Sequence, residues 1–313
     1  MTTDPRIADG PPQSKPQPAY PGARPPDRTR GVDAMGVRIA VSEWGDADAP
    51  PLLLAHGGFD FARTFDVFAP LLADAGRRVV SWDQRGHGDS EHAALYSFDA
   101  DLRDAAAVLD TTTTDPIPFV GHSKGGAMML RLANTWPHRV AKLVNLDGVP
   151  SGEGIPDVQD HERTRLLAQE IEGWLDYRRG VQDKVRKAGT LEDLARRRAR
   201  MNPRLDHDWL TYIASVGARR DADGWRWKLD PTLRFGGFGP WSPSWSLQSI
   251  ANVTTPMLGL LAGVEELMGW GTMPEDVAPY APPWVQMELV DAGHFVHIEQ
   301  PKLVAERVLE FLS

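Results

Sequence analysis

The chain has 313 residues, a formal net charge of −9 and no cysteine. That length holds one large α/β domain with an insertion, or two small domains. The acidic balance argues against a nucleic-acid partner and favours ligands that are not polyanions. The missing cysteines exclude disulfides, thiolate catalysis and cysteine-ligated metals. No apolar run approaches the length of a membrane span, and the N-terminus lacks the hydrophobic core of a signal peptide. A cytoplasmic protein with no membrane association is therefore expected.

Residues 1–30 hold eight of the 26 prolines, with glycine, arginine and aspartate between them. This composition predicts a disordered or extended tail. Regular structure is expected from about Gly31, where Gly36 to Ser42 alternates as a strand. The apolar run Pro51-Leu52-Leu53-Leu54-Ala55 predicts a buried strand ending in His56-Gly57-Gly58-Phe59. A helix over 63–75 and a strand over 77–82 follow, and the strand leads into Trp82-Asp83-Gln84-Arg85-Gly86-His87-Gly88-Asp89-Ser90. Phe98, Leu102, Ala105 and Leu109 share one face at helical spacing, which predicts a helix over 97–110. A strand over 116–120, a helix from Ala127 and a strand over 141–146 continue the alternation, which implies a mainly parallel sheet covered on both faces. After Asp147 the alternation stops. Helices are expected over 162–179, 191–200 and 206–218, then a hairpin-like piece over 221–230 and the aromatic, glycine-rich run Phe235-Gly236-Gly237-Phe238-Gly239-Pro240-Trp241. The α/β pattern resumes at Pro256, and Val285 to Val290 reads as a last strand before Asp291-Ala292-Gly293-His294-Phe295-Val296-His297.

The chemistry centres on Val120-Gly121-His122-Ser123-Lys124-Gly125-Gly126. It places a Gly-x-Ser-x-Gly at a strand-to-helix turn, the context that a nucleophile elbow needs. A turn tight enough to strain the serine backbone leaves no room for a Cβ at either glycine. Ser123 then stands at a helix N-terminus, whose free N–H groups favour negative charge. Such a serine needs a base to take its proton and a third group to orient that base. The side chain of Lys124 is out of place against the helix dipole, and a loop acid is its expected partner. Gly57-Gly58 and Gly236-Gly237-Phe238-Gly239 lack the spacing of phosphate loops. No cofactor and no metal are called for.

These four segments, in this order and at four strand ends, resemble the α/β-hydrolase family over about residues 35–150 and 250–313. The resemblance implies a mainly parallel eight-stranded α/β-hydrolase sheet built from residues 31–150 and 251–313, with a helical cap over 151–250 inserted after the sixth strand. It implies His294 as general base, in a Gly-His-x-x-His-x-x-x-Pro loop, with His297, His56 and His122 as structural residues. The family's acid follows the seventh strand, three residues after a glycine, which points to Glu266 first. Asp147, at the end of the sixth strand, is the rival that some members use, and Glu265 is the third choice. Backbone N–H groups of Lys124 and Gly58 are expected to form an oxyanion hole, with Phe59 as the near alternative. Asp83-x-Arg85-Gly86-x-Gly88-x-Ser90 looks like the family's structural turn, locking loops together.

A serine at the elbow implies a hydrolase of carboxylic esters acting through an acyl-enzyme, since members that open epoxides or remove halide use aspartate there. Carbon–carbon bond hydrolase, lactonase, amidase and thioesterase readings use the same residues, and a non-catalytic ligand-binding or regulatory protein with this fold is the alternative of another class. Six of the 11 tryptophans (Trp174, Trp209, Trp225, Trp227, Trp241 and Trp245) fall in the insertion. A small-molecule substrate with an apolar or aromatic group is therefore expected, in a pocket involving Phe59, Phe238 and Trp241.

Overall fold

The computed structural model describes residues 18–150, 162–181, 184–233 and 243–313. Strands β1 (Arg28–Asp33), β2 (Arg38–Trp44) and β3 (Pro51–Ala55) come first, followed by helix α1 (Phe68–Asp74), β4 (Arg78–Trp82) and α2 (Phe98–Asp110). Then come β5 (Ile117–His122), α3 (Lys124–Thr135) and β6 (Val140–Leu146). The insertion carries α4 (Arg163–Val181), α5 (Leu191–Ala199), α6 (His207–Gly217), the hairpin strands β7 (Ala218–Asp221) and β8 (Gly224–Trp227), and α7 (Pro243–Ala251). The chain closes with β9 (Met257–Ala262), α8 (Pro274–Val277), β10 (Val285–Val290), α9 (Val296–Glu299) and α10 (Pro301–Leu312).

The main sheet has eight strands in the order β1-β2-β4-β3-β5-β6-β9-β10. β1, β2 and β4 pair antiparallel, and every pair from β4 to β10 is parallel. The central strands are buried on both faces, which explains their unbroken apolar runs. Alternate residues serve opposite layers. Leu53 and Ala55 pack with Met128 and Met129 of α3, whereas Leu52 and Leu54 pack with Phe68 of α1 and Val304 and Val308 of α10. A third cluster joins Trp209, Leu210, Ile213 and Val216 of the insertion to Phe61 and Phe295 in the loops after β3 and β10. The insertion is thereby seated on the loops at the carboxyl ends of the strands, where ligands bind in open α/β sheets.

Two expectations need correction. The tail was expected to run to residue 30, yet β1 begins at Arg28 and the segment before it is tied down. Arg24 and Asp27 donate their N–H groups to the carbonyls of Asp66 (2.8 Å) and Glu43 (2.8 Å), and Tyr20 packs edge-on against Trp209 with ring centroids 5.1 Å apart. An extended, proline-rich segment can still pair its backbone with a sheet edge, and one aromatic residue supplies an anchor. Residues 1–17 lie outside the described residues. The helix expected over 63–75 is two pieces, a 3-10 turn (Ala62–Phe65) and α1. Pro70 has no N–H to return to Asp66, so the helix cannot run back through it. The Asp66 carbonyl takes the Arg24 N–H instead.

Candidate active site

Ser123 occupies the turn between β5 and α3 with φ 52° and ψ −122°, a strained conformation for any residue but glycine. The close packing expected around it is present. A Cβ at Gly121 would run into the Gly125 carbonyl, and one at Gly125 would run into the Ala55 and His56 carbonyls at the end of β3. One at Gly148 would lie 2.5 Å from the Ser123 carbonyl oxygen. The Ser123 N–H donates to the Leu146 carbonyl at 3.0 Å, so the elbow is fixed to β6.

His294, in the loop after β10, reaches this serine. Its Nε2 lies 2.9 Å from Ser123 Oγ, and its Nδ1 lies 2.6 Å from Asp147 Oδ2. With the carboxylate accepting the Nδ1 proton, Nε2 is left to accept from the serine hydroxyl. Asp147 itself is fully buried, with φ 46°, a left-handed conformation that aspartate tolerates better than most residues. Its Oδ1 accepts the Ala262 N–H at 3.0 Å and its own N–H donates to the Leu260 carbonyl at 2.9 Å, so β9 holds this residue from the other side.

Glu266, the first choice from the sequence, is placed differently from Asp147. Its Oε1 accepts the main-chain N–H of His294 at 2.5 Å and does not bond to the ring. Burial pushes its carboxyl above the usual range, although the His294 N–H opposes that shift. Glu265 is exposed. Asp147 and Glu266 follow adjacent strands of the sheet, so spacing alone places both near the histidine.

A family model described as alpha/beta hydrolase fold matches residues 50–301. The chain is an α/β-hydrolase. A mouse (Mus musculus) sn-1-specific diacylglycerol lipase is 28% identical over 287 residues, covering 86% of this chain and 83% of that protein. A Bacillus subtilis protein named putative 2-succinyl-6-hydroxy-2,4-cyclohexadiene-1-carboxylate synthase is 26% identical over 283 residues, covering 89% and 96%. The solved thioesterase domain from the curacin biosynthetic pathway shares the fold, with TM-score 0.78, 21% identity, and 90% and 99% of the two chains covered.

In this hydrolase the His56–Asp60 loop passes beside the serine. A Cβ at Gly57 would lie 2.9 Å from His122 Nδ1 and 3.2 Å from Ser123 Cβ. Lys124 opens α3, so its N–H belongs to the helix's unsatisfied first turn. Gly58 and Phe59 are half-buried, and Phe59 holds φ 60°. The Lys124 side chain does find an acid, but one on helix α2 and not on a loop. Its Nζ lies 2.5 Å from Asp101 Oδ2, and it also donates to Gln84 Oε1 at 2.8 Å. Gln84 in turn donates through its N–H to His56 Nε2 (2.9 Å) and through its amide to the His56 carbonyl (2.6 Å).

The other histidines of the site are buried and kept neutral. Burial pushes His56 down to about 4 and holds His87, His122 and His297 well below the usual range. His56 donates from Nδ1 to the Gly57 carbonyl at 2.7 Å, and His122 Nε2 bonds the His294 carbonyl at 2.9 Å. His297 packs its ring against Phe65 and His122, at 5.0 and 4.5 Å. The Asp83 turn also locks loops: Asp83 accepts N–H bonds from Ala62 and Asp89, each at 2.7 Å, and Arg85 grips Asp104 bidentately at 2.7 Å.

Of the expected pocket residues, Phe238 and Trp241 lie outside the described residues. The Phe59 ring sits 6.5 Å from that of His87. Trp209 is buried packing, and Trp227 lies 6.4 Å from Phe61. Sequence reasoning missed Gln84 and Arg198. Gln84 sat inside a motif read for its charges. Arg198 is the third of the run Arg196-Arg197-Arg198, which reads as a solvated helix face.

Proposed function

We propose that this hydrolase cleaves carboxylic esters through an acyl-enzyme on Ser123, with His294 as general base and Asp147 as the acid that orients it. The observation that carries the reading is the unbroken chain Ser123 Oγ, His294 Nε2, His294 Nδ1, Asp147 Oδ2, with contacts of 2.9 and 2.6 Å. As Oγ attacks the ester carbonyl, its proton passes to Nε2, and Asp147 stabilises the imidazolium. The oxyanion is received by the N–H of Lys124 and by that of Gly58 or Phe59, each such donor contributing about 2.7–4 kcal/mol to the transition state. The imidazolium then protonates the leaving alcohol. Water, activated by the same imidazole, releases the acid.

The insertion acts as a cap that selects substrate. Its α6 packs against Phe61 and Phe295, next to the oxyanion loop and the base. Aromatic residues in that contact, together with Phe59, favour a small-molecule ester with an apolar or aromatic group. That the mouse relative is named a lipase agrees with an ester substrate. Ser123→Ala should abolish p-nitrophenyl ester cleavage by a folded protein. A fully active variant contradicts the assignment, and turnover confined to lactones, thioesters, amides or a dienone acid would replace the ester by that bond.

A further inference from the structure

Three arginines in a row end α5, and they part company. Arg196 is exposed beside Glu192, and Arg197 caps the carbonyls of Lys187 and Ala188. Arg198 turns inward, with 16% of its side chain exposed. Its Nη2 pairs with Asp60, a carboxylate that is 2% exposed. Its Nη1 donates to the carbonyl of Phe59 at 3.2 Å. Its guanidinium lies 5.7 Å from the ring centroid of Phe295, the residue after His294. One side chain of the insertion thus touches the loop after β3 and the loop after β10.

The loop it holds needs holding. Phe59 sits at φ 60°, which a non-glycine residue keeps only when its surroundings impose it. Gly58 and Phe59 are the residues whose N–H groups would face the oxyanion, and their direction depends on the peptide planes on either side. A planar fork that takes the Phe59 carbonyl with one arm and the Asp60 carboxylate with the other fixes the Phe59–Asp60 peptide plane and so limits how the strained Phe59 can turn the N–H groups before it, which a single-point ammonium cannot do. The base of the fork is rigid, since α5 begins with a capping box at Thr190 and Asp193 and buries Leu194 and Ala195.

We propose that Arg198 is a positioning residue for the oxyanion hole, through which the seated insertion sets the geometry of the His56–Asp60 loop. The role rests on the serine-esterase reading above. Arg198 touches neither Ser123 nor the base, and its effect runs through the main chain of Phe59.

Removing Arg198 alone leaves a buried, unpaired Asp60 and lowers stability for that reason. The test therefore uses Arg198→Met together with the double variant Arg198→Met/Asp60→Asn, which removes the stranded charge but does not restore the fork. In the double variant the melting temperature should return toward wild type. Its kcat for p-nitrophenyl acetate should stay about tenfold or more below wild type, with KM little changed. Arg198→Lys should fall between the two. Recovery of kcat together with the melting temperature would show that Arg198 serves stability only, and full kcat in Arg198→Met would overturn the proposal outright. Amide hydrogen exchange reads the loop whatever the activity: Gly58–Asp60 should exchange faster in the double variant, and unchanged exchange contradicts the proposal. A wild-type protein without ester turnover or Ser123 labelling would instead count against the esterase reading, and the exchange result would still decide the loop.

Discussion

The carboxylate of Asp147 lies 2.6 Å from Nδ1 of His294, on the imidazole edge opposite the serine. This pairing crosses between the ends of β6 and β10 with β9 between them, and the Ala262 N–H of β9 takes the second carboxylate oxygen. Asp147 is therefore held from two strands at once.

Asp147→Asn should lower kcat by on the order of 10⁴, because an amide cannot enforce the required tautomer. Glu266→Gln should lose only a few-fold, since its amide oxygen can still accept the His294 N–H, though without the added strength of a charge. The pair of variants is compared on one ester with binding measured separately. Full loss in Glu266→Gln with an active Asp147→Asn reverses the assignment.

Most of the fold was legible because its signals are local. Unbroken short runs such as Leu52-Leu53-Leu54, flanked by proline and glycine, read as strands buried on both faces, and Gly121 and Gly125 mark a turn with no space for a Cβ. The choice between Asp147 and Glu266 was not legible. It depends on the left-handed backbone at Asp147, which aims its carboxylate at the ring, and on the loop path that presents only the N–H of His294 to Glu266. Arg198 was hidden for a related reason: only the packing of α5 onto the loop after β3 distinguishes it from Arg196.

The crowding at Gly125 sets a second expectation. A methyl group there meets the carbonyl oxygens of Ala55 and His56, and both are backbone atoms that cannot swing aside. Gly125→Ala should destabilise the protein by about 3 kcal/mol, the upper end of the overpacking range, or displace Ser123 from His294. Denaturant midpoints and serine labelling rates check this together. An unchanged midpoint with full activity contradicts the close approach of α3 to β3.

Asp83 gives a pH-dependent expectation. Burial pushes its carboxyl up to about 6, against the pull of the Ala62 and Asp89 N–H groups. Between its unfolded pKa, about 4, and 6 the folded state binds more proton than the unfolded chain, so this group's contribution to stability falls as pH rises through that window. The stability of the wild type relative to Asp83→Asn should decline by about 3 kcal/mol from pH 4 to pH 7. Denaturant unfolding of both proteins across that range reads it, and a constant difference contradicts the burial of an ionised Asp83.

Substrate choice is tested at Trp241. Its replacement by alanine should reduce kcat/KM for a phenyl or long-chain ester more than for an acetate, with each well-buried contact contributing about 1–3 kcal/mol to discrimination. Equal losses on both esters, with a lowered melting temperature, would make Trp241 a packing residue.

The central claim is that Ser123 is an activated nucleophile, and reaction with a fluorophosphonate probe tests it most directly. The account predicts stoichiometric labelling that maps to Ser123 by mass spectrometry and is lost in His294→Ala. An unlabelled wild-type protein, or a label carried by another residue, would contradict it.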